Sequence, residues 1–136
     1  MISLDQIDKT VPVLLVEDEA VTATHIESML FDLGFETVTI CLTHKAATVQ
    51  LAAGQFGLAI FDINVGGMLS FGLISKAIAQ KAAVVTISGY MTGVDNGQVF
   101  LAKPIEAVAL ERAIGEAFRL GWPLGPSISV SEKRAN

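Results

Sequence analysis

A short apolar run, Leu58-Ala59-Ile60-Phe61, ends abruptly in the carboxylate of Asp62. Because apolar residues occupy successive positions, the run predicts a strand that is buried on both faces, as in the middle of a parallel sheet. An aspartate at the carboxyl end of such a strand lies at the sheet edge where open α/β folds form their ligand sites. A buried carboxylate is costly unless a cation or hydrogen-bond donors compensate its charge. The run therefore predicts an α/β fold with a functional site around Asp62.

Strand and helix patterns alternate along the rest of the chain. The predicted strands span residues 11–16, 35–42, 58–62, 83–87 and 99–102, and the predicted helices span residues 20–33, 43–54, 70–81 and 107–120. This alternation predicts a doubly wound, five-stranded parallel sheet with right-handed crossovers and helices on both faces. The strand at 35–42 alternates between apolar and polar residues, which favours a position toward the edge of the sheet.

The same patterns define the domain boundaries. Residues 1–10 form a polar N-terminal lead-in, residues 11–120 form one domain, and residues 121–136 are expected to be a flexible C-terminal tail. Residues 90–98 carry two glycines and few core-type residues. The fourth of five possible helices is therefore predicted to be shortened or replaced by a loop.

The composition excludes several classes of protein. Of the 136 residues, 51% are hydrophobic and 17% are charged, which is typical of one compact domain. The net charge of −5 argues against a nucleic-acid partner. No apolar run approaches the roughly 18 residues of a membrane span, and residues 1–10 lack the apolar core of a signal peptide. The single cysteine, Cys41, excludes an internal disulfide and fits a reducing compartment, so we expect a cytoplasmic protein.

Polar residues follow four of the predicted strands. Glu17 and Asp18 follow the first strand, Asp62 ends the third, and Ser88 and Lys103 follow the fourth and fifth. All strands of a parallel sheet end on the same side, so these groups should converge. Three carboxylates that meet there would repel one another. Mg²⁺ prefers oxygen ligands and takes one or two carboxylates directly, and it would relieve that repulsion.

The other two groups suit the oxygens of a phosphoryl group. Lys103 adds a positive charge and Ser88 adds a hydroxyl. Phosphoryl transfer depends on in-line positioning and charge neutralisation more than on acid–base groups. Both histidines, His25 and His44, fall on predicted helices, so the sequence does not support hydrolysis by a serine–histidine pair. The pattern indicates a site where Asp62 carries a phosphoryl group.

Four motifs in this order resemble the receiver domain of two-component response regulators. They are Val13-Leu14-Leu15-Val16-Glu17-Asp18-Glu19, Phe61-Asp62, Ile87-Ser88-Gly89 and Phe100-Leu101-Ala102-Lys103-Pro104. The resemblance extends over about residues 11–120 and implies a CheY-like, stand-alone receiver. It also implies the flavodoxin-like strand order 2-1-3-4-5, for which a member of this family is the standard example.

The resemblance implies a role for each acidic position. Asp62 matches the phosphoacceptor, and Asp18 matches the direct Mg²⁺ ligand. Glu17 matches the acidic partner that usually acts through water. Asn64, two residues after the acceptor, matches the position whose backbone carbonyl completes the metal site together with Asp62.

The remaining matches concern switching. Ser88 matches the residue whose hydroxyl moves toward the phosphoryl group, and Lys103 matches the lysine that pairs with a phosphoryl oxygen. The peptide bond from Lys103 to Pro104 is typically cis in this family. Phe100 matches the aromatic switch position that turns inward. Because it has no hydroxyl, any switching there must occur through packing.

The chain departs from ordinary receivers between Ser88 and Lys103, where the interval is shorter. Thr86-Ile87-Ser88-Gly89-Tyr90 is more loosely similar to the FAT GUY type of variant receiver, in which the fourth helix is degenerate. Thr86 replaces the phenylalanine of that pattern. Gly89 leaves room for a phosphodonor to approach. Tyr90 either limits the access of water to the site or covers the core.

The expected function is a single-domain response regulator. It would accept a phosphoryl group on Asp62 from a histidine kinase or a phosphotransfer protein, with Mg²⁺, and would signal by protein contact as a monomer or weak dimer. One alternative is a pseudo-receiver that binds its partner without phosphorylation. A second is an aspartate-nucleophile phosphatase, which needs another aspartate two residues after the nucleophile. That position holds Asn64, which cannot transfer a proton, so we do not expect an enzyme in the ordinary sense.

Overall fold

The computed structural model describes residues 4–89, 93–95 and 97–121. The strands are β1 (Val13–Val16), β2 (Val38–Cys41), β3 (Leu58–Asp62), β4 (Asn64–Val65), β5 (Met68–Leu69), β6 (Ala83–Ser88), β7 (Gly93–Asp95) and β8 (Gln98–Ala102). The helices are α1 (Ala20–Asp32), α2 (His44–Ala53), α3 (Phe71–Ala79) and α4 (Ala107–Gly121), and a 3-10 turn spans Leu4–Gln6. Tyr90 and nearly all of the predicted tail lie outside the described residues.

The main sheet has the strand order β2-β1-β3-β6-β8-β7. The first five of these strands are parallel, so the predicted five-stranded parallel sheet and its 2-1-3-4-5 order are confirmed. Every residue of β3 is buried, as its continuous apolar run predicts. The half-exposed β2 forms one edge of the sheet, also as predicted.

Successive residues of the central strands face two different cores. Leu15, Ile60 and Val85 pack with α1 and α4 on one face of the sheet. Leu14 and Val84 pack with α2 and α3 on the other face. Helices therefore cover both faces, as the alternation of patterns predicts.

An added edge strand occupies the interval where a shortened fourth helix was expected. The described residues between β6 and β8 contain no helix, and β7 pairs antiparallel with β8, with Val94 opposite Val99. The sequence pattern does not predict this strand, because three residues are too few for a periodic pattern. Asn96-Gly97 is typical of two-residue hairpin turns and could have indicated it. Gly97 has a φ of 82°, which glycine adopts readily.

A second unpredicted element is a hairpin directly after β3. β4 and β5 pair antiparallel across the two-residue turn Gly66-Gly67, whose φ values are 61° and 82°. Positive φ at both central positions matches the turn type that suits the twist of a hairpin, and glycine is its favoured residue. The glycine pair predicts the turn but not the two strands, which are only two residues long each.

The N-terminal lead-in also contributes to the core. Ile7 is buried with the cluster between the sheet, α1 and α4, and Leu4 packs against the same cluster. The composition of this segment predicts only a polar lead-in, so its contribution to the core is a difference from the prediction. In the described part of the chain, no helix has the length and apolar character that a membrane crossing requires.

Candidate functional site

Asp62 ends the central strand β3, and its side chain is buried. Its Oδ1 atom accepts a hydrogen bond of 3.0 Å from the backbone N–H of Asn64. Its Oδ2 atom accepts one of 2.9 Å from the Nζ atom of Lys103. A backbone donor and an ammonium group thus compensate the free-energy cost of burying this carboxylate.

Two further acids lie beside Asp62. Carboxylate oxygens of Glu17, Asp18 and Asp62 lie within 4.8 Å of one another. The register explains this proximity, because Val16, the last residue of β1, is opposite Phe61 of β3. Glu17 and Asp62 are the residues that follow this pair. The three acids therefore converge, as the parallel sheet predicts. Glu17 is buried, whereas Asp18 is exposed to solvent.

The environment of Glu17 fits a cation. Its Oε2 atom accepts a hydrogen bond of 3.0 Å from the backbone N–H of Glu19. Its Oε1 atom is buried and has no hydrogen-bond partner among the described residues. Burial raises the pKa of Glu17 to about 7, and the neighbouring Asp62 carboxylate also raises it. A divalent cation at this cluster would give the Oε1 atom of Glu17 a partner and would relieve the repulsion among the three carboxylates. These oxygen ligands therefore fit Mg²⁺.

Asp18 is oriented by the β4–β5 hairpin. Its Oδ2 atom accepts a hydrogen bond of 2.8 Å from the backbone N–H of Gly66, at the turn of the hairpin. This bond is the main reason that the pKa of Asp18 lies below its ordinary value. A low pKa keeps the carboxylate ionised and available as an oxygen ligand.

Lys103 reaches the site from the end of β8. Its hydrogen bond to Asp62 is the main cause that raises its pKa above the ordinary value. Its backbone N–H donates a hydrogen bond of 2.9 Å to the carbonyl of Ser88, which ties the ends of β6 and β8 together. The peptide bond between Lys103 and Pro104 is cis, as the resemblance implies.

The predicted switch residues lie on β6 and β8. Ser88 ends β6 and is fully buried, one residue beyond Ile87, which is opposite Asp62 in the sheet. Phe100 of β8 is also buried, opposite Thr86. Gly89 is exposed, and a Cβ atom built on it would have no heavy atom of the described chain within 4 Å. Tyr90, the other predicted access residue, lies outside the described residues.

Sequence reasoning missed two contributors to the site. Ser70 is buried, and its hydroxyl donates a hydrogen bond of 2.7 Å to the backbone carbonyl of Asp62. Its backbone N–H donates one of 2.8 Å to the carbonyl of Ile63. Gly66 is the other contributor, through its hydrogen bond to Asp18. The glycine pair marked a turn, but no sequence signal indicated which distant side chain the turn would contact.

No protein-family model and no curated protein matches the chain, but solved structures do. The chain is 26% identical to a response regulator receiver protein from Sinorhizobium medicae WSM419, with a TM-score of 0.71 over 81% of this chain and 95% of that one. It is 27% identical to the receiver domain of the hybrid histidine kinase CckA, with a TM-score of 0.66 over 78% of this chain and 97% of that one.

A third match carries a metal ion. The receiver domain of the sensor histidine kinase PA1611 from Pseudomonas aeruginosa PAO1 has a magnesium ion coordinated in its active-site cleft. It is 21% identical to this chain, with a TM-score of 0.66 over 82% of this chain and 97% of that one. At this identity the likeness concerns the fold.

Sheet order, site and structural matches define the class of the protein, which is a receiver domain. Within that class, the chain has the CheY-like fold of its structural matches. Those matches are receiver domains, which suggests a signalling protein rather than a classical enzyme.

Proposed function

We propose that the protein is a response regulator that accepts a phosphoryl group on Asp62 in a Mg²⁺-dependent reaction. The observation that carries this proposal is the 2.9 Å contact between Lys103 Nζ and Asp62 Oδ2, beside two further carboxylates at the carboxyl edge of a parallel sheet. A buried carboxylate with an adjacent ammonium and a candidate cation site has the components that phosphoryl transfer needs.

The reaction forms an acyl phosphate. An oxygen of the Asp62 carboxylate attacks the phosphorus of a phosphohistidine in the donor, and an oxygen–phosphorus bond forms. The phosphorus–nitrogen bond breaks, and its electron pair remains on the imidazole nitrogen. Lys103 pairs with a phosphoryl oxygen, and the hydroxyl of Ser88 donates to another. No heavy atom of the described chain lies within 4 Å of a Cβ atom built on Gly89, which supports an approach of the donor from that side.

The residues that would hold Mg²⁺ are Asp18, Asp62 and the backbone carbonyl of Asn64, with Glu17 acting through water. When bound, the ion neutralises the oxygens of the acids and of the phosphoryl group. The buried Oε1 atom of Glu17, which has no hydrogen-bond partner in the described part of the chain, supports this assignment from the protein side. Asp18 and Asp62 keep their orientations through backbone donors of the hairpin.

The phosphodonor is a histidine kinase or a histidine phosphotransfer protein, and the protein acts with it in the cytoplasm. The phosphorylated state alters the surface formed by β7, β8 and α4, and the signal passes by protein contact. Phe100 is the link we expect, because it is opposite Gly93 of β7 and Thr86 of β6. The protein acts as a monomer or weak dimer and does not bind nucleic acid.

Intact mass after incubation with Mg²⁺ and acetyl phosphate tests the proposal. A single phosphoryl adduct is expected in the wild type and in Asp32→Asn, which changes an exposed acid at the end of α1. The adduct should be absent from Asp62→Asn and from wild-type protein in EDTA. An adduct of equal yield in Asp62→Asn would refute the assignment. No adduct with either acetyl phosphate or a phosphorylated histidine donor would favour the phosphorylation-independent alternative.

A further inference from the structure

The β4–β5 hairpin, residues 64–69, contacts two of the three clustered acids through its backbone. The N–H of Asn64 donates to Asp62, and the N–H of Gly66 donates to Asp18. Neither bond depends on the side chain of the donor residue. The hairpin begins two residues after Asp62. One short element therefore connects Asp62, at the end of β3, with Asp18, which follows β1.

The register of the hairpin directs the backbone of Asn64 toward the site. Antiparallel strands alternate between residue pairs that exchange hydrogen bonds and pairs that do not. Val65 and Met68 flank the two-residue turn, and Ile63 accepts a hydrogen bond from Ser70. The intervening pair, Asn64 and Leu69, is therefore of the type that does not exchange hydrogen bonds. The N–H and C=O of Asn64 consequently point away from β5.

The hairpin is also attached to the rest of the fold at its outer strand. The ring Nε2 of His44, at the start of α2, lies 3.1 Å from the backbone carbonyl of Met68. Val65 is buried against the core that α2 and α3 share. Ser70 closes the base of the hairpin through its bonds to Ile63 and Asp62. These contacts hold the turn at Gly66 in one position relative to Asp18.

We infer that the β4–β5 hairpin is a positioning element for the cation, and that the Gly66 N–H orients the Asp18 carboxylate for metal binding. Asp18 is exposed, so its side chain would otherwise sample several rotamers. A donor 2.8 Å from one oxygen selects the rotamer that lies beside Glu17 and Asp62. Partners that orient metal ligands typically change affinity by about 10- to 100-fold when they are removed. Gly66 is thus a positioning residue rather than a ligand.

The inference rests on the proposed function, because it takes Asp18 as a ligand of Mg²⁺. It also predicts a linkage between Mg²⁺ binding and the strength of the hydrogen bond from Gly66 to Asp18, which can be measured separately. If the hairpin orients Asp18 for the ion, then the ion in turn stabilises the hairpin bond. Mg²⁺ should therefore slow hydrogen exchange at the Gly66 amide in the wild type.

The first test is the dissociation constant of Mg²⁺, measured by calorimetry on the metal-free protein. Gly66→Pro removes the N–H, whereas Gly66→Asn keeps it, and asparagine tolerates the positive φ of this position. We expect the dissociation constant to rise about 10-fold or more in Gly66→Pro. In Gly66→Asn it should stay within about twofold. In an Asp18→Asn background, Gly66→Pro should cause no further weakening.

Proline also conflicts with the φ of 61° at Gly66, so the hairpin itself could be lost in that variant. A second comparison avoids this problem. Replacement of the amide by an ester at Gly66, made by ligation of peptide fragments, exchanges the N–H for an oxygen atom and removes the donor without adding a side chain. The same change at Gly67, which has a φ of 82°, is the matched control in the same turn. Only the Gly66 ester should weaken Mg²⁺ binding.

The outcomes separate this inference from the proposed function. Wild-type affinity for Mg²⁺ in the Gly66 ester would overturn the inference, even if Asp62 is phosphorylated normally. A lower thermal stability with unchanged affinity would assign the hairpin a purely structural role and would overturn it as well. A wild-type protein that binds no Mg²⁺ and forms no adduct would refute the proposed function itself.

Discussion

Lys103 Nζ lies 2.9 Å from Asp62 Oδ2, although 41 residues separate the two in sequence. The acid is buried, with a side-chain exposure of 6%, whereas the lysine side chain is 38% exposed. The partly solvated ammonium can therefore move to a phosphoryl oxygen while the acid stays in place. The pair therefore combines a carboxylate held in one position with an ammonium group that can change its partner.

Replacement of this lysine should separate metal binding from phosphoryl transfer. In Lys103→Ala, Mg²⁺ should bind at least as tightly as in the wild type, because a nearby positive charge is lost. The rate of adduct formation should fall by about 100-fold, because no ammonium neutralises the phosphoryl oxygens. Calorimetry and time-resolved intact mass measure the two effects. Lys76→Ala, on the exposed side of α3, is the control and should react as the wild type does.

Stability of the metal-free protein should depend on pH through Glu17. Its pKa is raised to about 7 in the folded state, from an ordinary value of 4.5. Between these two values the folded protein binds more protons than the unfolded chain, so the free energy of unfolding should fall as pH rises. Urea unfolding in EDTA at pH 5.5 and pH 8 measures the difference.

Glu17→Gln is the matching variant, because it removes the charge and keeps the shape. It should lose most of this pH dependence and should be more stable than the wild type at pH 8 by about 1 to 3 kcal/mol. An identical pH dependence in the two proteins would contradict the assignment of the raised pKa to Glu17. Mg²⁺ should stabilise the wild type more than the variant at pH 8.

The hydroxyl of Ser70 should support the site through the backbone. Ser70→Ala removes the buried hydrogen bond of 2.7 Å to the carbonyl of Asp62 and leaves that acceptor without this donor. We expect a loss of about 1 to 2 kcal/mol in the free energy of unfolding. Ser75→Ala, at an exposed position of α3, should change it by less than about 0.5 kcal/mol. Equal stability of the two variants would show that the bond contributes little.

Gly57 permits a close approach between the segments that precede β1 and β3. A Cβ atom built on it would lie 2.5 Å from the Cβ of Val11. Gly57→Ala should therefore lower the free energy of unfolding by about 1 to 3 kcal/mol. In Gly72→Ala, within α3, the added Cβ would have no heavy atom of the described chain within 4 Å. That control should raise stability by about 0.5 to 1 kcal/mol, since alanine favours the helix. Thermal unfolding compares both with the wild type.

Several features of the fold could be predicted from the sequence. The continuous apolar run of β3 indicates burial on both faces wherever it occurs, so it places Asp62 at a sheet edge. Polar residues at the ends of parallel strands must share that edge, which brings Glu17, Asp18 and Lys103 to Asp62. These predictions depend on side-chain patterns that are local in sequence.

Other features depend on contacts that no local pattern records. β7 and the β4–β5 hairpin are too short for periodicity, and they form because their backbones pair with neighbours in space. The contact of Gly66 with Asp18 uses a backbone N–H, a group that every residue except proline carries.

Glu17 and Asp18 show the same difference between what the sequence predicts and what only the fold decides. The sequence places Glu17 and Asp18 together at the end of β1, but it does not say which of them is buried. In the folded protein, Glu17 is buried and its pKa is raised, and its Oε1 atom has no partner among the residues that the structure describes. Asp18 is exposed and its pKa is lowered. The sequence by itself determined the five parallel strands, their common edge and the residue types that meet there. Only the tertiary structure decided the burial and hydrogen-bond partners of each, because these depend on segments distant along the chain.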